Sequence, residues 1–387
     1  MAIYMDEAFG GGTPDRVKWY IEKMKERYPC TWERDWGTIL GFGADVTDDN
    51  YLEFSTRKYT KEIADRFLPG ESKPSRVVPS RESIEQLPAE IDKLPPLGSP
   101  EDLAMRPMQD DGRALNGALI HLGRGRCDFA YQSAICSQQA ARFTHSGYEH
   151  LKEVARYAWA NSDAVMRYCG PHCKSLVLSP QLEPIRPYDY DGRVEYGLYL
   201  IGDGAQATPN ESVPNSKSMG GFAVMFGGAA IDWKSYRIHT CTPDSTSVET
   251  LVSSRLVSRG CAPRGVAQFL WTPQDKPTPL FTDNDGTWYV SREAASATTM
   301  VYIIRHVRFL QQATYDKVTK VFQLDGTLNP TDVFTKHLPR EDYRRHMAFL
   351  MGRPDLALVW WRQSSKYKTH KYKKIVPVSP LEKSLEK

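Results

Sequence analysis

The feature that most restricts how this chain can fold is a hydrophobic period that switches between two and 3.6 several times between positions 194 and 352. Val194, Tyr196, Leu198 and Leu200 alternate on one face of a first strand, and Glu195, Tyr199, Ile201 and Asp203 on the other. The runs Gly220-Gly-Phe-Ala-Val-Met-Phe-Gly-Gly228 and Ile231-Asp-Trp-Lys-Ser235 read as hairpin strands. After Pro243-Asp244 the pattern changes, and Val248, Leu251, Val252 and Leu256 recur at helical spacing. Pro279-Leu-Phe-Thr282 is another short strand. Positions 301–310 form a helix, and positions 318–324 a last strand that turns at Asp325-Gly326. Hairpins, helix and later strands together predict an α/β domain of the α+β kind, a mixed sheet flanked by helices.

An acid stands at each of four points in this pattern. Asp203 ends the first strand, Glu249 sits in the helix and Asp283 follows the strand at 279–282. Asp332 lies in Asn329-Pro-Thr-Asp332. There Asn329 suits a helix cap and Pro330 the first position, so Asp332 falls where the helix dipole favours its charge. Taken singly, each is an ordinary cap or solvated group. Taken together they pose a problem, because converging carboxylates repel and burial disfavours their charge. Divalent cations remove that cost. Magnesium suits an all-oxygen donor set, and two ions about 4 Å apart can hold a phosphodiester in line for hydrolysis.

The ordered set resembles the ribonuclease H domain of copia-type LTR retrotransposon polyproteins. Most specific is Asn329-Pro-Thr-Asp-Val-Phe-Thr-Lys336, where that family reads Asn-Pro-Ala-Asp-Ile-Phe-Thr-Lys. The resemblance implies that Asp203, Glu249, Asp283 and Asp332 match the family's catalytic, metal-binding carboxylates. It implies two Mg²⁺ ions, with Mn²⁺ as the alternative, and an RNA–DNA hybrid as substrate. Asn284, Lys217 and Ser218 are then the candidates for contacts to the hybrid, with Asn284 read equally as a turn-stabilising residue. The chain departs from the family's auxiliary groups at Gly202-Asp-Gly-Ala-Gln206, at Thr246-Ser-Val-Glu-Thr250 and at Met300-Val-Tyr-Ile303.

Upstream, residues 1–85 resemble part of the family's reverse transcriptase palm and thumb. Tyr4-Met5-Asp6-Glu7 falls where the family has Tyr-Val-Asp-Asp, and Asp6 and Glu7 are read as a vestigial polymerase turn. Polymerase activity is not expected, because fingers, most of the palm and a partner carboxylate are missing and Glu7 replaces an Asp. Positions 14–27 predict an amphipathic helix with Val17, Tyr20, Ile21 and Met24 inward. Positions 39–46 and 51–54 predict a hairpin, and 58–67 a helix.

The stretch from 69 to 105 is rich in proline, and residues 86–105 are assigned as a linker or a segment wrapped on the surface. Residues 106–190 read as a helical connection with helices over 115–122, 128–135 and 150–159. In it, His121 and His150 read as packed histidines. Arg124, Arg126, Arg142, Lys152 and Arg156 read equally as phosphate contacts or solvated helix faces. Residues 194–352 are the ribonuclease H-like domain and 353–387 a basic tail. In the tail Trp360-Trp-Arg-Gln-Ser-Ser-Lys-Tyr-Lys-Thr-His-Lys-Tyr-Lys-Lys374 alternates cations and rings without an acid, as a nucleic-acid tether would.

Composition narrows the setting. The 387 residues carry a net charge of +3, and 7 scattered cysteines fit reduced thiols. Cys169-Gly-Pro-His-Cys173 has no second half with zinc-like spacing. No signal peptide is read at the start, and no apolar run reaches the roughly 20 residues of a membrane span. The expectation is an intracellular, cytoplasmic or nuclear protein whose partners are an RNA–DNA hybrid or other nucleic acid and other retroelement polyprotein products. The alternative is a folded, nucleic-acid-binding remnant of such an element without catalysis.

Overall fold

The computed structural model describes residues 2–4, 7–9, 14–29, 38–39, 41–49, 51–169, 198–206, 217–269, 274–292, 300–353 and 356–357. Asp6, the run at 170–173 and the basic tail beyond 357 lie outside the described residues, and of Glu7 only the backbone is described.

Short strands β1 (Ala2–Tyr4) and β2 (Glu7–Phe9) pair antiparallel, and α1 (Pro14–Arg27) follows. On α1 Val17, Tyr20, Ile21 and Met24 are half-buried while the residues between are exposed, as the period requires. Strands β3 (Thr38–Ile39), β4 (Phe42–Val46) and β5 (Tyr51–Ser55) form an antiparallel ladder, and α2 (Arg57–Phe67) buries Ile63 and Ala64. The proline-rich stretch that follows is anchored. Ile84 and Leu87, the latter opening the short α3 (Leu87–Glu90), are wholly buried, and two 3₁₀ turns flank α3.

Helix α4 (Pro100–Leu122) starts earlier than the periodicity suggests. Ser99 Oγ accepts from Asp102 N at 3.2 Å, and Pro100 occupies the first turn, a standard start signal. Helices α5 (Ala130–Ser137) and α6 (His145–Ala160) complete the connection, α6 capped by Thr144 Oγ1 accepting from Gly147 N at 3.0 Å. The chain then returns to an earlier sheet. β6 (Val165–Cys169) pairs antiparallel with β5, a non-local pairing that helical periodicity does not reveal.

The cations of this region are mostly spent internally. Arg126 is fully buried on Asp128, Arg142 reaches Asp102 at 2.7 Å, Lys152 reaches Glu149 at 2.9 Å and Arg156 reaches Glu71 at 2.8 Å. Only Arg124 of the five candidates is exposed without a described ion pair. His121 packs between the Phe42 and Tyr59 rings, and His150 shares a polar contact of 3.3 Å with Ser83. Both are packed histidines.

The largest sheet is built from β7 (Tyr199–Ala205), β8 (Met219–Phe226), β9 (Ala229–Arg237), β10 (Thr278–Thr282) and β11 (Thr319–Gln323), in the order β11-β10-β7-β8-β9. Strands β7, β8 and β9 are antiparallel, while β10 lies parallel to both β7 and β11. The molecule is therefore a mixed α/β protein with sheets of mixed orientation. Gly227 and Gly228 make the β8–β9 turn with φ of 60° and 86°, the positive values a two-residue hairpin of matching twist needs.

Alternation along β7 feeds two cores. Leu198 and Leu200 pack with Phe222, Val224 and the apolar stripe of α7 (Ser245–Phe269). Tyr199 and Ile201 pack on the other face with Met225, Phe281, Phe322 and α10 (Arg340–Leu350), in a core continuous with α4, α5 and α6. Helices α8 (Asp285–Arg292) and α9 (Ile304–Tyr315) flank the first core, α9 being preceded by a 3₁₀ turn over Val301–Ile303. Among the described residues no helix is long and apolar enough to cross a membrane.

Candidate metal centre

Three side chains far apart in sequence meet at the end of β7. Carboxylate oxygens of Asp203, Glu249 and Asp283 all lie within 4.8 Å of one another. Local structure explains each position. Asp203 is near the end of β7, on the face of Tyr199 and Ile201. Asp283 is the first residue past β10, which pairs parallel to β7, so both strands deliver their ends to one edge.

Glu249 arrives by helix packing. Asp244 Oδ1 accepts from Ser247 N at 2.8 Å and so starts α7. The helix then runs antiparallel to β7, with Gly204 against Val248, Gly202 against Val252 and Leu256, and Leu200 against Gly260. A Cβ at Gly204 would come within 2.6 Å of Val248 Cγ1 and 3.2 Å of Glu249 N, so only glycine lets the helix start sit this low. Gly204 N then donates to Glu249 Oε1 at 2.8 Å, and Thr282 Oγ1 donates to Oε2 at 3.3 Å.

Asp332 stands beside this cluster rather than in it. Asn329 Oδ1 accepts from Thr331 N at 3.1 Å, and Pro330 opens a 3₁₀ turn over Pro330–Phe334 that carries Asp332. Asn329 Nδ2 donates to Gly202 O at 3.1 Å, tying the turn to β7. A Cβ at Gly221 would lie 2.6 Å from Phe334 Cβ, so a glycine in β8 makes room for the turn. Lys336 Nζ sits 3.0 Å from Asp332 Oδ1 and partly neutralises it. Thr335 Oγ1, from the same turn, donates to Asp203 Oδ2.

The electrostatics follow from this crowding. Burial, then the charges of Asp203 and Asp283, raise Glu249 well above the usual carboxylate range. Burial and Asp203 push Asp283 up to about 6. Burial and Asp203 push Asp332 up to about 8, against the opposing pull of Lys336. Without a counter-charge the site therefore holds protons. A buried, all-oxygen donor set whose members disfavour one another's charge can hold a divalent metal ion.

No family model matches this chain, and neither does any curated protein or solved structure. The centre is thus read from its own chemistry.

Other candidate residues have different fates. Asn284 caps α8, its Oδ1 accepting from Thr287 N at 2.8 Å. Ser218 is buried, and its hydroxyl shares a 3.0 Å contact with Thr242 Oγ1. Burial removes the Ser218 side chain from any nucleic-acid surface, and the cap commits one end of Asn284. Lys217 is half-buried just before β8. The sequence pattern marked Asn329 as a cap but gave no role to Thr335, Lys336 or Thr282. For Thr335 and Lys336 a signal existed. They follow Asp332 by three and four residues, the spacing that places side chains along one side of a helical turn.

Proposed function

We propose that this chain is a divalent-metal-dependent nuclease with a ribonuclease H-like domain, hydrolysing the RNA strand of an RNA–DNA hybrid, and that it derives from a copia-type retroelement. The observation that carries the reading is the meeting of Asp203, Glu249 and Asp283 at one sheet edge, with Asp332 beside them. A mixed sheet flanked by helices supports it, as do the expected positions of all four acids at strand ends and helix starts.

The fit to metal is chemical. Asp203, Glu249 and Asp283 would hold an ion, and Asp332 would share in a second. Bound Mg²⁺ or Mn²⁺ would supply charge neutralisation, polarisation of the phosphodiester and a more acidic water. The chain's own groups preorganise the ligands. Thr335 fixes the rotamer of Asp203, and Gly204 N–H with Thr282 Oγ1 fixes Glu249, each by donating to a carboxylate oxygen. Lys336 keeps charge balanced at Asp332.

The test is incubation of the full chain with a labelled RNA–DNA hybrid, with Mg²⁺ or Mn²⁺. Cleavage of the RNA strand that disappears in Asp203→Asn and Asp283→Asn is the expected result. Binding of the hybrid without cleavage under either metal would instead establish the non-catalytic remnant.

A further inference from the structure

A second site of opposite sign lies along α7 from the carboxylates. A cavity of about 650 Å³ opens between the end of β9, the middle of α7 and the start of α9. Arg237, His239, Arg255, Arg305 and His306 line it, Phe309 stands at its side, and no acid is among the lining residues. Among the described residues neither Arg255 nor Arg305 forms an ion pair, in contrast to Arg259, which binds Asp232 at 2.8 Å. Burial and the Arg255 guanidinium hold His306 below the ordinary histidine range.

The cavity has structure beyond its charge. The Arg255 guanidinium carbon lies 4.4 Å from the centre of the Tyr236 ring, which holds that side chain over the cavity. Ser254 Oγ is 3.1 Å from His306 Nδ1, fixing one histidine. Arg237, the next residue along β9, turns its guanidinium to the opposite face, where Nη1 donates to Gln138 Oε1 at 2.9 Å, so the guanidiniums offered to the cavity are those of Arg255 and Arg305. Phe309 remains 42% exposed, a ring face available for stacking. Fixed guanidinium groups match phosphate oxygens, and an aromatic face matches a nucleobase.

Position adds to this. In the ladder Asp203 pairs with Gly221, and Gly221 with Ser235, the residue before Tyr236. Two strand spacings therefore separate the backbone at Asp203 from the strand that walls the cavity, roughly 10 Å. We propose that this cavity binds the phosphate groups of nucleotides, either free or within a nucleic-acid strand whose path continues to the carboxylate end of β7. The second source rests on the nuclease reading for its direction, but phosphate binding at the cavity does not.

Binding is measured on the full chain in EDTA, where no cleavage can occur. Anisotropy of a labelled single-stranded oligonucleotide and of a labelled hybrid forms one arm. Calorimetric titration with AMP, ATP and inorganic phosphate forms the other. Arg255→Gln with Arg305→Gln is expected to weaken oligonucleotide binding at least about tenfold and to lower the salt slope by about 1.5. Phe309→Ala is expected to weaken the single strand by about fivefold or more.

Competition by ATP at comparable affinity assigns the cavity to free nucleotides, and oligonucleotide binding without nucleotide binding assigns it to a strand. Two results overturn the proposal. One is unchanged affinity for every probe in the double variant. The other is an equal loss in Arg308→Gln, a cation of α9 outside the cavity, which would leave only diffuse attraction. Both variants change exposed side chains, and an unchanged melting temperature checks their folding. Loss of cleavage in Asp203→Asn with these binding results intact would separate the two sites.

Discussion

At the scale of single residues, the carboxylate cluster works against the fold that holds it. The folded chain keeps a proton on Asp283 up to about pH 6 and on Asp332 up to about pH 8. The unfolded chain releases both near pH 4, roughly the ordinary carboxylate value. Folding therefore takes up protons between these limits, so this contribution to stability is full below about pH 4 and is lost as pH rises through 6 and 8. Thermal melts of the metal-free protein should show the loss, and Asp332→Asn should flatten the alkaline part. The same protons compete with metal, so Mn²⁺ affinity by calorimetry should rise from pH 6 to pH 8. Asp283→Asn should stabilise the metal-free protein by about 1–3 kcal/mol at neutral pH while abolishing metal binding. Thr335→Ala should leave the fold intact and weaken metal binding about 10–100-fold, because Asp203 loses the donor that orients it.

At the scale of elements, the centre depends on two close approaches between glycine-bearing strands and their neighbours. The start of α7 rests on Gly204, and the 3₁₀ turn over Pro330–Phe334 rests on Gly221. A methyl group at Gly221 would push Phe334 away and move the turn that presents both Asp332 and Thr335. Gly221→Ala should therefore cost about 1–3 kcal/mol in urea unfolding and also reduce metal affinity. A purely structural role would lower stability alone, so the two measurements separate the cases. Local signals had already marked these elements. Asp244 before α7, and Asn329-Pro330 before the turn, are start signals whose hydrogen bonds the structure contains. What local signals left open was whether Asn284 stabilises a turn or faces the hybrid, because a cap and a surface donor look alike in one dimension, and the structure shows the cap on α8.

At the scale of the molecule, one continuous core joins the helical connection to the five-stranded sheet. Its polar centre is buried. Arg126 bonds Asp128 through Nε at 2.8 Å, Tyr157 Oη donates to Asp128 Oδ2 at 2.8 Å, and Tyr343 Oη, from α10, donates to the Asp128 carbonyl. Asp128→Ala would strand a buried guanidinium, at a cost of about 3–5 kcal/mol. Because the network spans both regions, far-UV circular dichroism and tyrosine fluorescence should shift together in urea.

The sequence alone determined the order of the five strands of the large sheet, of α7 and α9 and of the Asn329-Pro330 turn, and singled out the four acids, because period and capping are local properties; α8 and α10 were not read from it. Only the tertiary structure decided which cations are spent in internal pairs and that β6 returns to β5. It likewise placed Asp332 beside the acidic triad and gathered Arg255 and Arg305 around one cavity. Each of these depends on which side chains meet across long loops, and on how much water that meeting removes.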